Sequence, residues 1–198
     1  MPDSEETALR RNAPPFARHL SSLFTKTVTD HALKCAFFFD REKDRHNALI
    51  RFRDKRGIRL DNGCHIRILQ RVVVNPDDRS KVTTAEYQYV YGFSEDLDNE
   101  WVLRYEYVPE QVEFDPEYKY PIGHVHFNGV PDSYERFEMD DKKPYPDLHC
   151  PTRRIALEDF IEHLIIELRV PTRAAREDCL ALLADSRREY ERKKTKPH

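Results

Sequence analysis

The chain has little glycine, with five residues in 198, and only two methionines and one tryptophan. Together with 13 prolines and 11% aromatic residues, this excludes collagen-like, glycine-linker and wholly disordered chains. The longest apolar runs, CAFFF (Cys35–Phe39) and LIIEL (Leu164–Leu168), fall far short of the roughly 20 residues that a membrane helix needs. No basic-then-apolar leader opens the chain, so the expectation is a cytoplasmic protein without membrane association. The four cysteines, Cys35, Cys64, Cys150 and Cys179, contain no CxxC pair and no zinc-ribbon spacing. They read as reduced thiols, because a chain of this length builds a core without disulfides. GxSxG, the P-loop, GxGxxG, HExxH and zinc-finger spacings are all missing, which removes the usual nucleophile-elbow, nucleotide and metalloprotease readings.

What is present is 39% hydrophobic and 35% charged, with a formal net charge of −3 and a pI near 6.3. Charge is distributed unevenly. Residues 41–81 hold twelve Lys/Arg against six Asp/Glu (+6), whereas 82–147 hold five against sixteen (−11). Two readings fit this asymmetry. Basic strands can pair with acidic neighbours inside the fold, or a local basic surface can meet RNA or an acidic protein. The pI argues against indiscriminate nucleic-acid binding.

Periodicity predicts the elements. Residues 1–15 are polar and read as a disordered segment. Phe16, Leu20, Leu23, Phe24 and Val28 then recur at helical spacing, predicting a helix over about 16–30. From Cys35 the period becomes two. CAFFF is followed by Ala48, Ile50 and Phe52, then by Cys64, Ile66, Ile68, Val72 and Val74. Residues 81–94 place Ala85, Tyr87, Tyr89, Tyr91 and Phe93 on one face, with Thr84, Glu86, Gln88 and Val90 on the other. In WVLRYEYV, Trp101, Leu103, Tyr105 and Tyr107 oppose Val102, Arg104 and Glu106. IGHVHFNG supplies a further short strand between loop-like stretches at 109–121 and 128–148. Leu157, Phe160, Ile161, Leu164, Ile165 and Leu168 form the clearest helix, closed by Pro171, and Thr172 reads as the N-cap of a last helix. Residues 191–198 form a basic tail. The fold class is α+β: a twisted antiparallel, meander-like sheet of about six strands in one domain over 16–190, with N-terminal and C-terminal helices on its aromatic face.

Three groups of residues can carry chemistry. At strand spacing, His124 and His126 put two imidazoles on one face, suited to acid and base work near neutral pH or to sharing a metal. His149 is a third imidazole that can converge from the next segment, with Asp147 or Cys150 beside it. Thr152, Arg153 and Arg154, just ahead of the strongest helix, suit a phosphate or other anion. Arg104 lies on the strand before the histidine pair, where it either holds a phosphate or pairs with Glu86.

AEYQYVYGF (85–93), VLRYEYV (102–108) and GHVHFNG (123–129), followed by a leucine- and isoleucine-rich helix, resemble the TumE-like family over roughly residues 46–168. That family consists of small bacterial proteins encoded beside antitoxins and regarded as the toxin of the pair. Arg104 and Tyr105 match its Arg-Tyr-Asp strand; Glu106 stands where Asp is expected and Tyr107 where the family has a polar residue. The earlier histidine of the family's histidine segment has no counterpart here, where Tyr118 and Tyr120 lie upstream. The resemblance implies a growth-blocking toxin acting on RNA or translation, with RNA and a cognate antitoxin as partners. On that expectation, His124, His126 and His149 are catalytic and Arg104, Thr152, Arg153 and Arg154 bind substrate, with no metal or other cofactor. Two alternatives stay open: a non-catalytic protein-binding module using acidic loops and basic strands, and a metal held by His124, His126 and a carboxylate from the acidic loop.

Overall fold

The computed structural model describes residues 4–53, 56–109, 122–128 and 149–194. The first helix, α1 (Glu5–Thr27), starts well before the expected position, so Glu5–Pro15 belong to the helix and not to a disordered segment. Local chemistry explains the early start. The Ser4 side chain accepts from the Thr7 amide at 3.2 Å, and Glu5 and Glu6 sit in the first turn, where the helix dipole favours negative charge. Pro14 and Pro15 lie inside α1, and the carbonyls they leave without an amide donor are those of Arg10 and Arg11. Both arginines are exposed, so water can satisfy the backbone there.

Among the described residues, eight strands form one antiparallel sheet, two more than the sequence led us to expect: β1 (Leu33–Asp40), β2 (Arg45–Phe52), β3 (Ile58–Arg59), β4 (His65–Val74), β5 (Val82–Gly92), β6 (Trp101–Tyr107), β7 (Gly123–Phe127) and β8 (His149–Pro151). The order is β1-β2-β4-β5-β6-β7-β8, with β3 added on β4, so the meander is sequential apart from that short side pairing. The extra strands, β3 and β8, have two and three residues, too few for periodicity to register.

One face of the sheet is apolar. Ile50, Phe52, Ile66, Ile68, Tyr87, Tyr89, Tyr91 and Leu103 are buried there. Helix α1 closes on it through Phe24, edge-on to Phe52 at 5.3 Å, and α2 (Leu157–Ile166) closes on it through Phe160, whose ring lies 5.3 Å from Tyr89. The tyrosine stripe is therefore core. Tyr87 stacks on Tyr89 at 4.4 Å, and its hydroxyl accepts from the Ile155 amide at 2.9 Å. A third helix, α3 (Arg176–Lys194), packs on the other two. The Ser186 hydroxyl donates to buried Glu158 at 2.6 Å and lies 2.9 Å from His19 Nε2, joining all three helices. Helix α3 carries the chain to Lys194, into what read as a tail, and begins at Arg176. Thr172 is not its cap: its hydroxyl donates to the Ala174 carbonyl, while Cys179 N donates to Ala175 O. All four cysteines are free thiols.

Two irregularities reset the strict alternation. Between β4 and β5, Arg71 faces Glu86 but Val72 faces Thr84, so Ala85 is a bulge residue. Thr84 is thereby turned from the outer face, where alternation put it, into a buried bond with Gln70 Nε2 at 2.8 Å. Between β5 and β6 a second shift falls at Tyr91 and Gly92. A Cβ on Gly92 would lie 2.5 Å from the Glu100 carbonyl oxygen, so only glycine fits this close approach.

Candidate functional site

The second face of the sheet is polar and partly buried. In register, Arg104 on β6 lies opposite His126 on β7, and Glu106 lies opposite His124. Antiparallel partners share a face and residues i and i+2 share it too, so these four side chains converge. The Glu106 carboxylate is the centre. Its Oε2 lies 2.8 Å from His126 Nε2 and 3.4 Å from His124 Nε2. Its Oε1 accepts from Gln88 Nε2 at 2.7 Å and stands 3.3 Å from Arg104 Nε. The imidazole rings are 4.6 Å apart, and their residues are almost sealed, at 0% exposure for His124 and 4% for His126.

Burial would by itself push the Glu106 carboxyl up. Hydrogen bonds from His124, His126 and Gln88, with the Arg104 charge, outweigh it and hold the group well below the usual carboxylate range. Glu106 is thus a fixed anion. It is also held from behind, because Gln88 Oε1 accepts from Arg67 Nη2 at 3.2 Å and Arg67 Nη1 donates to Asp98 Oδ1 at 2.7 Å. The resulting relay spans four strands: Asp98 and Arg67, then Gln88, Glu106 and His126.

Arg104 does not take the Glu86 partner that the sequence suggested. Glu86 pairs instead with Arg71, at 2.6 Å. The Arg104 guanidinium lies 4.6 Å above the Trp101 ring, and its Nη2 is 3.5 Å from His126 Nδ1. Trp101 stands edge-on to His126 at 6.0 Å, on the histidine face and not with Leu103 and Tyr105, because the irregularity at Gly92 breaks the alternation.

The remaining expected residues divide. His149 lies opposite His126 in the β7–β8 register, and Pro151 lies opposite His124. The side chain of His149, and Asp147, Tyr118 and Tyr120 altogether, lie outside the described residues. Arg154 stands 5.3 Å over the ring of Tyr107, a residue of the aromatic face, and both Arg153 and Arg154 are exposed. Thr152 bonds by its amide to the Gly123 carbonyl at 2.8 Å and joins neither imidazole among the described contacts. The structure therefore gathers His124, His126 and Arg104, and leaves Arg154 on the other face of the sheet. Sequence reasoning missed Glu106, Gln88 and Trp101 as parts of the site. Glu106 had a signal, since it shares the face of Arg104 two residues away; its convergence with the histidines depended on register.

Chemically, the cluster combines a fixed carboxylate, two imidazoles and a guanidinium. Glu106, His124 and His126 offer donor atoms all within 4.8 Å of one another, the one such group found among the described residues. The fold and the site define an antiparallel α+β protein with a buried histidine–carboxylate centre on its polar sheet face. Compared with protein-family models, curated proteins and solved structures, the chain shows no significant match to any. No described helix is long and apolar enough to cross a membrane.

Proposed function

We propose that this chain is a bacterial toxin of the TumE-like kind, which cleaves RNA through metal-independent acid–base chemistry at the Glu106–His124–His126–Arg104 centre. One observation supports it above the rest: Glu106 Oε2 binds His126 Nε2, while Arg104 stands beside the other ring nitrogen of His126. With its proton on Nε2, donated to Glu106, the His126 ring turns its Nδ1 lone pair toward the guanidinium. An anion held by Arg104 would therefore sit next to a base whose tautomer is fixed by a carboxylate, the arrangement that general-base catalysis requires.

The reaction on this reading is an intramolecular transfer. His126 Nδ1 takes the proton of a ribose 2′-hydroxyl, and the 2′-oxygen attacks the adjacent phosphorus. The 5′-oxygen leaves with a proton from a second imidazole, His124 or His149, giving a cyclic phosphate and a 5′-hydroxyl. Arg104 stabilises the charge of the phosphorane. The TumE-like pattern carried by residues 46–168 supplies the substrate class and a cognate antitoxin as partner. Substrate must reach imidazoles that are nearly sealed, so binding has to open the centre.

The test is tightly induced expression in bacteria, wild type beside His126→Ala and Glu106→Gln. Growth arrest with new RNA ends bearing cyclic phosphates is expected from wild type. Loss of a positioned base costs about 10²–10⁴-fold in rate, so both variants should be harmless while remaining folded. Harmless wild type, or arrest by all three proteins alike, overturns the reading in favour of a protein-binding module.

A further inference from the structure

We infer that Glu106, His124 and His126 form a binding site for a divalent transition-metal ion of the zinc type, which controls the centre by occupying the atoms that its acid–base chemistry uses. The inference rests on the proposed reading for its consequence, but the site itself rests on geometry alone. Two imidazole nitrogens and one carboxylate oxygen are a donor set that zinc accepts, at bond lengths of roughly 2.0–2.2 Å. Donors bound tetrahedrally at such lengths stand about 3.4 Å apart. Here Glu106 Oε2 lies 2.8 and 3.4 Å from the two Nε2 atoms, and the whole set falls within 4.8 Å. Both carboxylate–imidazole spacings stand at or below that value, so Glu106 has to draw back slightly from His126 for the three donors to meet one ion.

The support around these donors is of the kind that metal ligands need. All three sit on β6 and β7, paired in the interior of the sheet. The carboxylate oxygen that would not bind metal is already held by Gln88 at 2.7 Å, which leaves Oε2 directed at the imidazoles. Burial of both histidines removes competing water. Three protein donors also leave one tetrahedral position for water or an anion.

Arg104 sets the opposition between the two states. In the metal-free arrangement the His126 Nε2 proton goes to Glu106, and Nδ1 faces Arg104 Nη2. A metal on Nε2 displaces that proton to Nδ1, which then faces a guanidinium that can only donate. Arg104 must swing away over Trp101, the ring it already covers. The guanidinium charge and the ion therefore compete for Glu106, and the metal takes from His126 its capacity as a base.

The experiment uses the full chain, stripped with chelator and titrated with Zn²⁺ by calorimetry, then with Co²⁺ by visible absorption. One equivalent of Zn²⁺ is expected, with cobalt bands of nitrogen and oxygen ligation and no thiolate charge transfer. Glu106→Gln, near-isosteric, should weaken binding at least tenfold, Gln88→Leu by about 10–100-fold as a supporting partner, and Arg104→Gln should tighten it several-fold. His46→Ala, at a histidine elsewhere, should change nothing. Circular dichroism checks that each variant is folded. Absence of binding by wild type, equal binding by folded Glu106→Gln, or a thiolate band overturns the site. RNA cleavage measured with and without Zn²⁺ separates this from the functional reading. Cleavage lost on loading supports both. Cleavage that requires Zn²⁺ keeps the site but overturns metal-independent catalysis and metal silencing, and cleavage by a protein that binds no metal overturns the site alone.

Discussion

At the scale of single residues, the charged network around Glu106 separates position from chemistry. Glu106→Gln keeps the shape of the side chain and removes its charge, so hydrogen bonds that were charge-assisted to His126 and Gln88 become neutral or reversed. The expected cost is about 1–3 kcal/mol, read as a lower urea midpoint with unchanged slope; an unchanged midpoint would mean that the carboxylate holds nothing in place. A second buried network lies on the aromatic face and has no charge. The Tyr89 hydroxyl donates to Gln70 Oε1 at 2.9 Å, and Gln70 Nε2 donates to Thr84 Oγ1 at 2.8 Å. Tyr89→Phe leaves the Gln70 oxygen buried without that donor, which should lower stability by about 1–3 kcal/mol in the same urea measurement. Growth arrest should survive Tyr89→Phe and not Glu106→Gln, because only the second residue touches the histidines.

Elements show what period and spacing can reveal. The helix of Leu157, Phe160, Ile161, Leu164 and Ile165 was legible because its stripe is apolar and uninterrupted, and so were the tyrosine strands β5 and β6. The start of α1 was not legible. A proline pair reads as a boundary, yet Pro15 faces solvent and the helix continues through it. Its cost is set by the missing amide and the ring's clash with the Arg11 carbonyl, about 3 kcal/mol for a helix interior. The stiffness it gives the unfolded chain offsets about 0.4–1 kcal/mol of that. Pro15→Ala should therefore raise the unfolding free energy by about 2 kcal/mol in urea melts; a fall would show that the ring does packing that its exposure denies. The candidate site was half legible. Alternation put His124 with His126 and Arg104 with Glu106, but no spacing rule states the register between two strands separated by a long loop. Bulges hid the rest, since Ala85 moves Thr84 inward and the shift at Gly92 brings Trp101 to the histidines. A period of two carries no record of a residue that breaks it.

For the whole molecule, the uneven charge of the sequence is partly answered within the fold. Basic β4 meets acidic neighbours through Arg71 and Glu86 and through Arg67 and Asp98. That lowers the need for an external acidic or basic partner on this part of the sheet. Groups on the aromatic side of the sheet then give the fold two limits in pH. Toward acid, His163 on α2 matters: burial lowers its pKa from the ordinary 6.5, with Glu167 opposing. Its contribution to stability is present above 6.5 and is lost as pH falls toward the depressed folded value. Urea midpoints of wild type should therefore drop more steeply between pH 7 and pH 5 than those of His163→Gln. Toward alkali the tyrosine stripe sets the limit. Burial pushes Tyr87 and Tyr91 up to about 12, raises Tyr89 well above its ordinary value and raises Tyr105. In the unfolded chain these phenols ionise near 10, so the fold binds more protons than the unfolded chain between those values. Stability held below about pH 10 is accordingly lost as pH rises toward about 12 for Tyr87 and Tyr91. Tyrosinate absorbance followed beside circular dichroism should show the Tyr87, Tyr89, Tyr91 and Tyr105 phenols ionising only as the fold is lost. A single phase near pH 10 with native dichroism throughout would mean that the stripe is open to solvent, and a flat aromatic surface for stacking bases would then replace the buried core described here.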